Sequence, residues 1–132
     1  MTRMPAENMI RVVLADDNLI VREGVRALLL AAGDIDVVDV AGDYEELVAR
    51  TDTHTPQVVV TDIRMPPSFT DEGIRAARLV RRQHPGTGIV ILSQYDEPEY
   101  AISLLSEGAA GYAYLLKGRQ TPVGAYRVGV PA

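Results

Sequence analysis

The sequence contains no cysteine, which excludes both disulfide cross-links and thiolate chemistry. It also lacks any apolar run approaching the ~20 residues that a membrane-spanning helix needs. Met1 to Asn8 does not show the basic-then-apolar order of a secretory signal, so the expected location is the cytoplasm. Positive charge is in deficit: 13 Lys and Arg stand against 18 Asp and Glu, for a formal net charge of −5. A chain that grips nucleic acid needs clustered cations, so no nucleic-acid contact is expected from this chain itself. The one basic cluster, Arg75, Arg78, Arg81 and Arg82, has helical spacing and reads as a solvated helix face. Histidine is equally scarce. His54 and His84 fall in turn regions at the N-terminal ends of apolar runs, and neither is expected to serve in catalysis or metal binding.

What is present is an ordinary globular composition, 132 residues with 47% hydrophobic and 23% charged, enough for one domain with a real core. There is no internal repeat and no low-complexity segment. Ile10 to Ala15, Ile35 to Val40, Gln57 to Asp62, Gly88 to Ser93 and Gly111 to Lys117 are compact apolar or β-branched runs, the pattern of strands buried on both faces. Helical stretches separate them. In the first, Val21, Val25, Leu28 and Ala32 recur near one face, and Gly33 is suited to close it. Asp43-Tyr44-Glu45-Glu46 is a capping box that starts a second helix, expected to run to about Arg50. Met65 to Thr70 holds two prolines and reads as a loop. A third helix is expected from Asp71 to about Gln83, with Ile74, Ala77 and Val80 inward. A fourth opens at Asp96 to Glu99 and closes at Gly108. The order β-α-β-α-β-α-β-α-β predicts a parallel sheet covered on both faces, with ligands bound beyond the carboxyl ends of the strands.

That rule directs attention to the strand ends. Asp16 and Asp17 follow the first run, Asp62 ends the third, Ser93 the fourth and Lys117 the fifth. Taken singly, each has a plainer reading: a helix-capping pair, a loop aspartate, a solvated lysine. Their joint position points to one site. Three close carboxylates repel and need a cation, and oxygen donors without His or Cys select a hard ion, Mg²⁺ or Mn²⁺. A carboxylate can attack phosphorus, with the cation and Lys117 neutralising the transferred group and Ser93 donating a hydrogen bond to it.

Leu14-Ala15-Asp16-Asp17-Asn18, Thr61-Asp62-Ile63-Arg64-Met65-Pro66, Ile91-Leu92-Ser93, and Gly108-Ala109-Ala110-Gly111 leading to Leu115-Leu116-Lys117 together resemble a response regulator receiver domain over about residues 9–118. Val21 to Gly24 and Asp62 to Pro66 look most like receivers that precede the DNA-binding output of LuxR/NarL-type regulators. The resemblance implies a flavodoxin-like doubly wound sheet of five parallel strands in the order 2-1-3-4-5. It implies that Asp62 takes phosphate from a sensor histidine kinase. It further implies that Asp17, Asp62 and the backbone carbonyl of Arg64 ligate Mg²⁺, with Asp16 assisting through water. Lys117 would pair with the phosphoryl group, and Ser93 and an aromatic on the fifth strand would move as the switch. The family's usual Gly-Tyr-Leu-Leu-Lys is here Gly111-Tyr112-Ala113-Tyr114-Leu115-Leu116-Lys117. Counting back from the lysine gives Tyr114 as the switch aromatic and counting from the glycine gives Tyr112; Tyr114 is the expected one, because side chains alternate and register is best counted from the functional lysine.

Receivers normally end in a fifth helix, but residues 118–132 carry three glycines and two prolines and favour an extended tail. The expected organisation is therefore a receiver at 9–117 and an atypical tail at 118–132, as a truncation, a frame change or a natural variant, with no output domain in this chain. The face left without a fifth helix would expose apolar strand surface, to be covered by the tail or by a second copy in a homodimer. Two other functions compete with the switch: an interaction module that does not switch, and a Mg²⁺-dependent phosphohydrolase. The latter usually needs a carboxylate two residues after the nucleophile, where this chain has Arg64. The chain is thus expected not to be an enzyme beyond its own phosphorylation and dephosphorylation.

Overall fold

β-Branched and apolar runs become strands and the amphipathic stretches between them become helices. The elements are β1 (Ile10–Ala15), α1 (Leu19–Ala31), β2 (Ile35–Ala41), α2 (Tyr44–His54), β3 (Val58–Asp62), α3 (Glu72–Gln83), β4 (Gly88–Ser93) and β5 (Tyr112–Leu116). The computed structural model describes residues 8–93 and the strand 112–116, with the backbone alone at Ser93 and along that strand. The expected fourth helix, Lys117 and the tail at 118–132 lie outside the described residues.

The five strands form one sheet in the order β2-β1-β3-β4-β5, and every neighbouring pair is parallel. This is the doubly wound order expected. Alternation along each strand sends successive side chains to opposite faces. Val13, Ala15, Val59, Ile89 and Ile91 turn to one side, where Leu47 of α2 and Ile74, Ala77 and Val80 of α3 cover them. Val12, Leu14, Val60 and Leu92 turn to the other, against Val25 and Leu29 of α1. Among the described residues, no helix is long and apolar enough to cross a membrane.

Two expectations need correction. The inward face of α1 is carried by Val25 and Leu29, while Leu28 is 74% exposed. Ala32, also expected inward, is exposed as the C-cap. On the β1 and β3 face expected to need cover, Val12, Leu14 and Val60 are buried. Of the exposed large apolar side chains among the described residues, Leu19, Ile20, Leu28 and Leu30 lie on α1, while Ile10 opens β1 and Phe69 lies before α3. Finally, α2 continues past Arg50 to His54, and Thr55 closes it in the left-handed region at φ 42. Buried Thr51 and the bond from the Thr55 N–H to the Thr51 carbonyl (2.8 Å) carry this extra turn.

The extension puts His54 at a helix end, where its ring meets Asp39 (2.9 Å) and its carbonyl accepts from Arg11 (2.6 Å). His84 caps α3 and pairs with Asp52 (2.8 Å). Neither imidazole is near the carboxyl ends of the strands. The basic face of α3 is only partly a solvated stripe. Arg81 reaches back to the carbonyls of Pro85 (2.6 Å) and Thr87 (2.7 Å), and Arg75 lies over the Tyr44 ring (5.5 Å).

Candidate phosphoacceptor site

Parallel packing brings the ends of β1 and β3 side by side, since Ala15 pairs with Thr61. The residues just beyond are Asp16 and Asp62. The Asp16 amide continues the ladder to the Ala41 carbonyl (3.0 Å), and its side chain accepts the Asn18 N–H (2.9 Å). That turn leaves Asn18 to cap α1, its Oδ1 accepting from Val21 (3.1 Å), so the plainer reading of Asp16-Asp17 as the cap does not hold. Asp16 is 1% exposed, Asp17 is exposed and Asp62 is half-buried. One carboxylate oxygen from each lies within 4.8 Å of the others.

Beyond β3 the strand alternation persists. Ile63 and Met65 are buried in the core, which turns Asp62 and the exposed Arg64 toward the rim. The Asp62 carboxylate accepts from the Ile63 N–H (2.9 Å), and its carbonyl accepts from Thr61 Oγ1 (2.9 Å). The chain then turns through 65–71 and returns as α3, whose Gly73 N–H donates to the Ile63 carbonyl (2.8 Å). The approach is so close that a Cβ at Gly73 would stand 1.7 Å from the Asp62 carbonyl oxygen. Only glycine fits there.

Three charged carboxylates at this spacing would repel by about 3 kcal/mol per pair at an effective dielectric of about 20, and by less in pairs that include exposed Asp17. The set contains oxygen donors only, so it fits a hard divalent cation and not a soft or imidazole-seeking metal. Asp16, Asp17 and Asp62 are thus brought together as expected. Ser93 follows Leu92, the register partner of Asp62, at the same end of the sheet, and its own partner is Leu116. Tyr114 pairs with Ile91 along β5. The Ser93 and Tyr114 side chains and all of Lys117 lie outside the described residues.

Sequence reasoning missed two residues in the first turn of α3, both packed against this loop. Besides Gly73, Glu72 is fully buried and accepts from the Ser68 N–H (2.6 Å), the Ser68 hydroxyl (2.5 Å) and the Thr70 N–H (3.1 Å). Burial raises its carboxyl pKa, but these hydrogen bonds outweigh that and hold it at about 2. A glycine in the first turn of a helix, where it costs helix stability, was the signal of a close approach.

The family model of the response regulator receiver domain matches residues 12–120. The chain belongs to the response regulator receiver family. Among curated relatives, the receiver is 37% identical over 102 residues to the oxygen regulatory protein NreC of Staphylococcus carnosus (strain TM300), covering 77% of this chain and 46% of NreC. It therefore spans about half the length of the curated relatives it matches. Among solved structures it is similar to the signal receiver domain of the putative response regulator NarL from Mycobacterium tuberculosis. That likeness has 33% identity and a TM-score of 0.74, over 86% of this chain and 87% of that one. The isolated receiver domain of RcsB from Salmonella enterica serovar Typhimurium, solved in the presence of the phosphomimetic BeF₃⁻, is 27% identical with a TM-score of 0.72, over 86% and 80% of the two chains.

Proposed function

We propose that this receiver is a phosphorylation switch in which Asp62 accepts a phosphoryl group from a sensor histidine kinase. The observation that carries the reading is the convergence of Asp16, Asp17 and Asp62 within 4.8 Å at the carboxyl ends of two adjacent strands. An Asp62 carboxylate oxygen attacks phosphorus, and a new O–P bond forms as the bond from phosphorus to the donor histidine nitrogen breaks. The electron pair stays on that imidazole. A bound Mg²⁺ or Mn²⁺ supplies the positive charge that lets an anionic phosphoryl group approach three carboxylates. Asp17, Asp62 and the Arg64 carbonyl would hold it, and buried Asp16 would assist through water. Lys117 neutralises the phosphoryl oxygens, and Ser93 follows them with Tyr114 as the switch aromatic. The BeF₃⁻-treated RcsB domain supports this reading by similarity. With Arg64 where a phosphohydrolase would carry its acid/base, turnover is limited to the protein's own aspartyl phosphate.

In a longer protein of the LuxR/NarL type the switch controls a DNA-binding output, in the cytoplasm where the kinase domain resides. Self-association through the face left without a fifth helix is part of the same reading, and sedimentation of the full chain over a range of concentrations tests it. The switch itself is tested by intact-protein mass spectrometry after incubation with acetyl phosphate, with and without Mg²⁺. One added phosphate, dependent on Mg²⁺ and absent in Asp62→Asn, is the expected result. A folded wild type that takes no phosphate would leave an interaction module that does not switch.

A further inference from the structure

The first residue of α3, Glu72, is a buried carboxylate that phosphoryl transfer does not itself use. Phe69 adopts φ 56 and donates its N–H to the Met65 carbonyl (2.9 Å). The reversal turns the amides on either side of it, Ser68 and Thr70, toward one point, a small nest of the kind that receives anions. No external ligand is needed to fill it, because Glu72 already does. One oxygen takes the Ser68 amide and hydroxyl, and the other takes the Thr70 amide. Arg75 pairs with the same carboxylate (3.2 Å) and lies over Tyr44, whose own N–H meets the Pro66 carbonyl (3.5 Å). The loop is thus tied at three points: at its start by buried Ile63 and Met65, at its centre by Glu72, and at its end by Gly73 on the Ile63 carbonyl.

We infer that Glu72 is a positioning residue, fixing the loop so that Asp62 and the Arg64 carbonyl hold their geometry for the cation. The inference rests on the phosphoacceptor reading above and deepens it. A side chain outside the ligand set whose loss disturbs ligand orientation typically costs about 10-fold or more in metal affinity.

The test titrates Mg²⁺ alone into the full chain, following the Asp17 and Asp62 amide NMR shifts, and in parallel measures Mg²⁺ dependence of phosphorylation by acetyl phosphate. Glu72→Gln keeps the shape but turns an amide NH₂ toward the nest. It is expected to raise the Mg²⁺ half-saturation about 10-fold with secondary structure unchanged. Ser68→Ala, which leaves both amide bonds in place, should raise it less than about 3-fold by the same reasoning. A folded Glu72→Gln with wild-type half-saturation overturns the inference. Should Glu72→Gln not fold, Glu72→Asp decides: it keeps the charge but falls one methylene short, and a weakened Mg²⁺ titration supports positioning while a wild-type one overturns it. If the wild type binds Mg²⁺ but takes no phosphate, the phosphoacceptor reading fails and the Mg²⁺ titrations still decide the role of Glu72. A wild type that binds no Mg²⁺ overturns both.

Discussion

Replacing Gly73 by alanine probes the closest approach in the site. The new methyl would stand 1.7 Å from the Asp62 carbonyl oxygen, 2.8 Å from its carbon and 3.0 Å from the Ile63 Cα. All three are backbone atoms, so no side chain can rotate out of the way. An ordinary C···O contact is about 3.3 Å, so roughly 1.6 Å must open between α3 and the end of β3. That movement stretches or breaks the Gly73 to Ile63 hydrogen bond. Overpacking costs about 1–3 kcal/mol and the lost bond about 1, while alanine returns about 1 through helix propensity. The net expectation is a loss of about 2 kcal/mol, or a melting point lower by about 8 °C for a domain of this size. Gly24→Ala is the control. It lies within α1 with nothing within 4 Å of the added methyl, and should stabilise by about 0.5–1 kcal/mol. Thermal and urea unfolding of the three proteins gives the comparison. Gly73→Ala as stable as wild type would refute the close packing from which the positioning of Asp62 is argued.

Asn18→Ala removes the side chain that caps α1 and should cost about 1 kcal/mol by urea unfolding. No loss would mean that the cap is frayed in solution. Thr55 is a β-branched residue at φ 42, so Thr55→Gly should relieve strain and stabilise by about 0.5–1 kcal/mol; a lower melting point would contradict this. The acid behaviour follows from Glu72, whose carboxyl is held at about 2 in the fold against an ordinary 4.5. A depressed carboxylate stabilises fully above its unfolded value and loses that contribution as pH falls from about 4.5 toward 2. Asp39 shifts the same way: its burial opposes ionisation, but the Val40 amide, His54 and Arg50 prevail. The melting point should fall across that window, and less steeply in Glu72→Gln; parallel curves would show that Glu72 is not the group responsible.

The sheet order was legible because each buried strand announces itself by a dense β-branched run. β1 and β3 end where their runs end, and the aspartates there are the ones that converge. Periodicity served less well for α1, where Leu28, Leu29 and Leu30 follow one another. A choice between adjacent leucines is a rotation of about 100°, and Leu29 turned out to be the inward one. Thr51-Asp52-Thr53 offers weak helix propensity, and tertiary burial of Thr51 overrode it. Glu72 was not legible at all. A glutamate at the start of a helix is ordinarily a solvated neighbour of the dipole. Its burial follows from how residues 65–71 reverse, which depends on contacts that a linear pattern does not encode.

The sheet order also shapes how the chain folds as it is made. β1 lies between β2 and β3, yet β3 is completed only after another 47 residues beyond Ala15. At about 5–20 residues per second of synthesis, Val12-Val13-Leu14-Ala15 waits roughly 2–9 seconds with one edge open. Such an edge is an invitation to pair with another chain. Asp16 and Asp17 sit directly at its end, where charge discourages stacking. Neutralising both should therefore lower soluble yield even where the folded state tolerates the change.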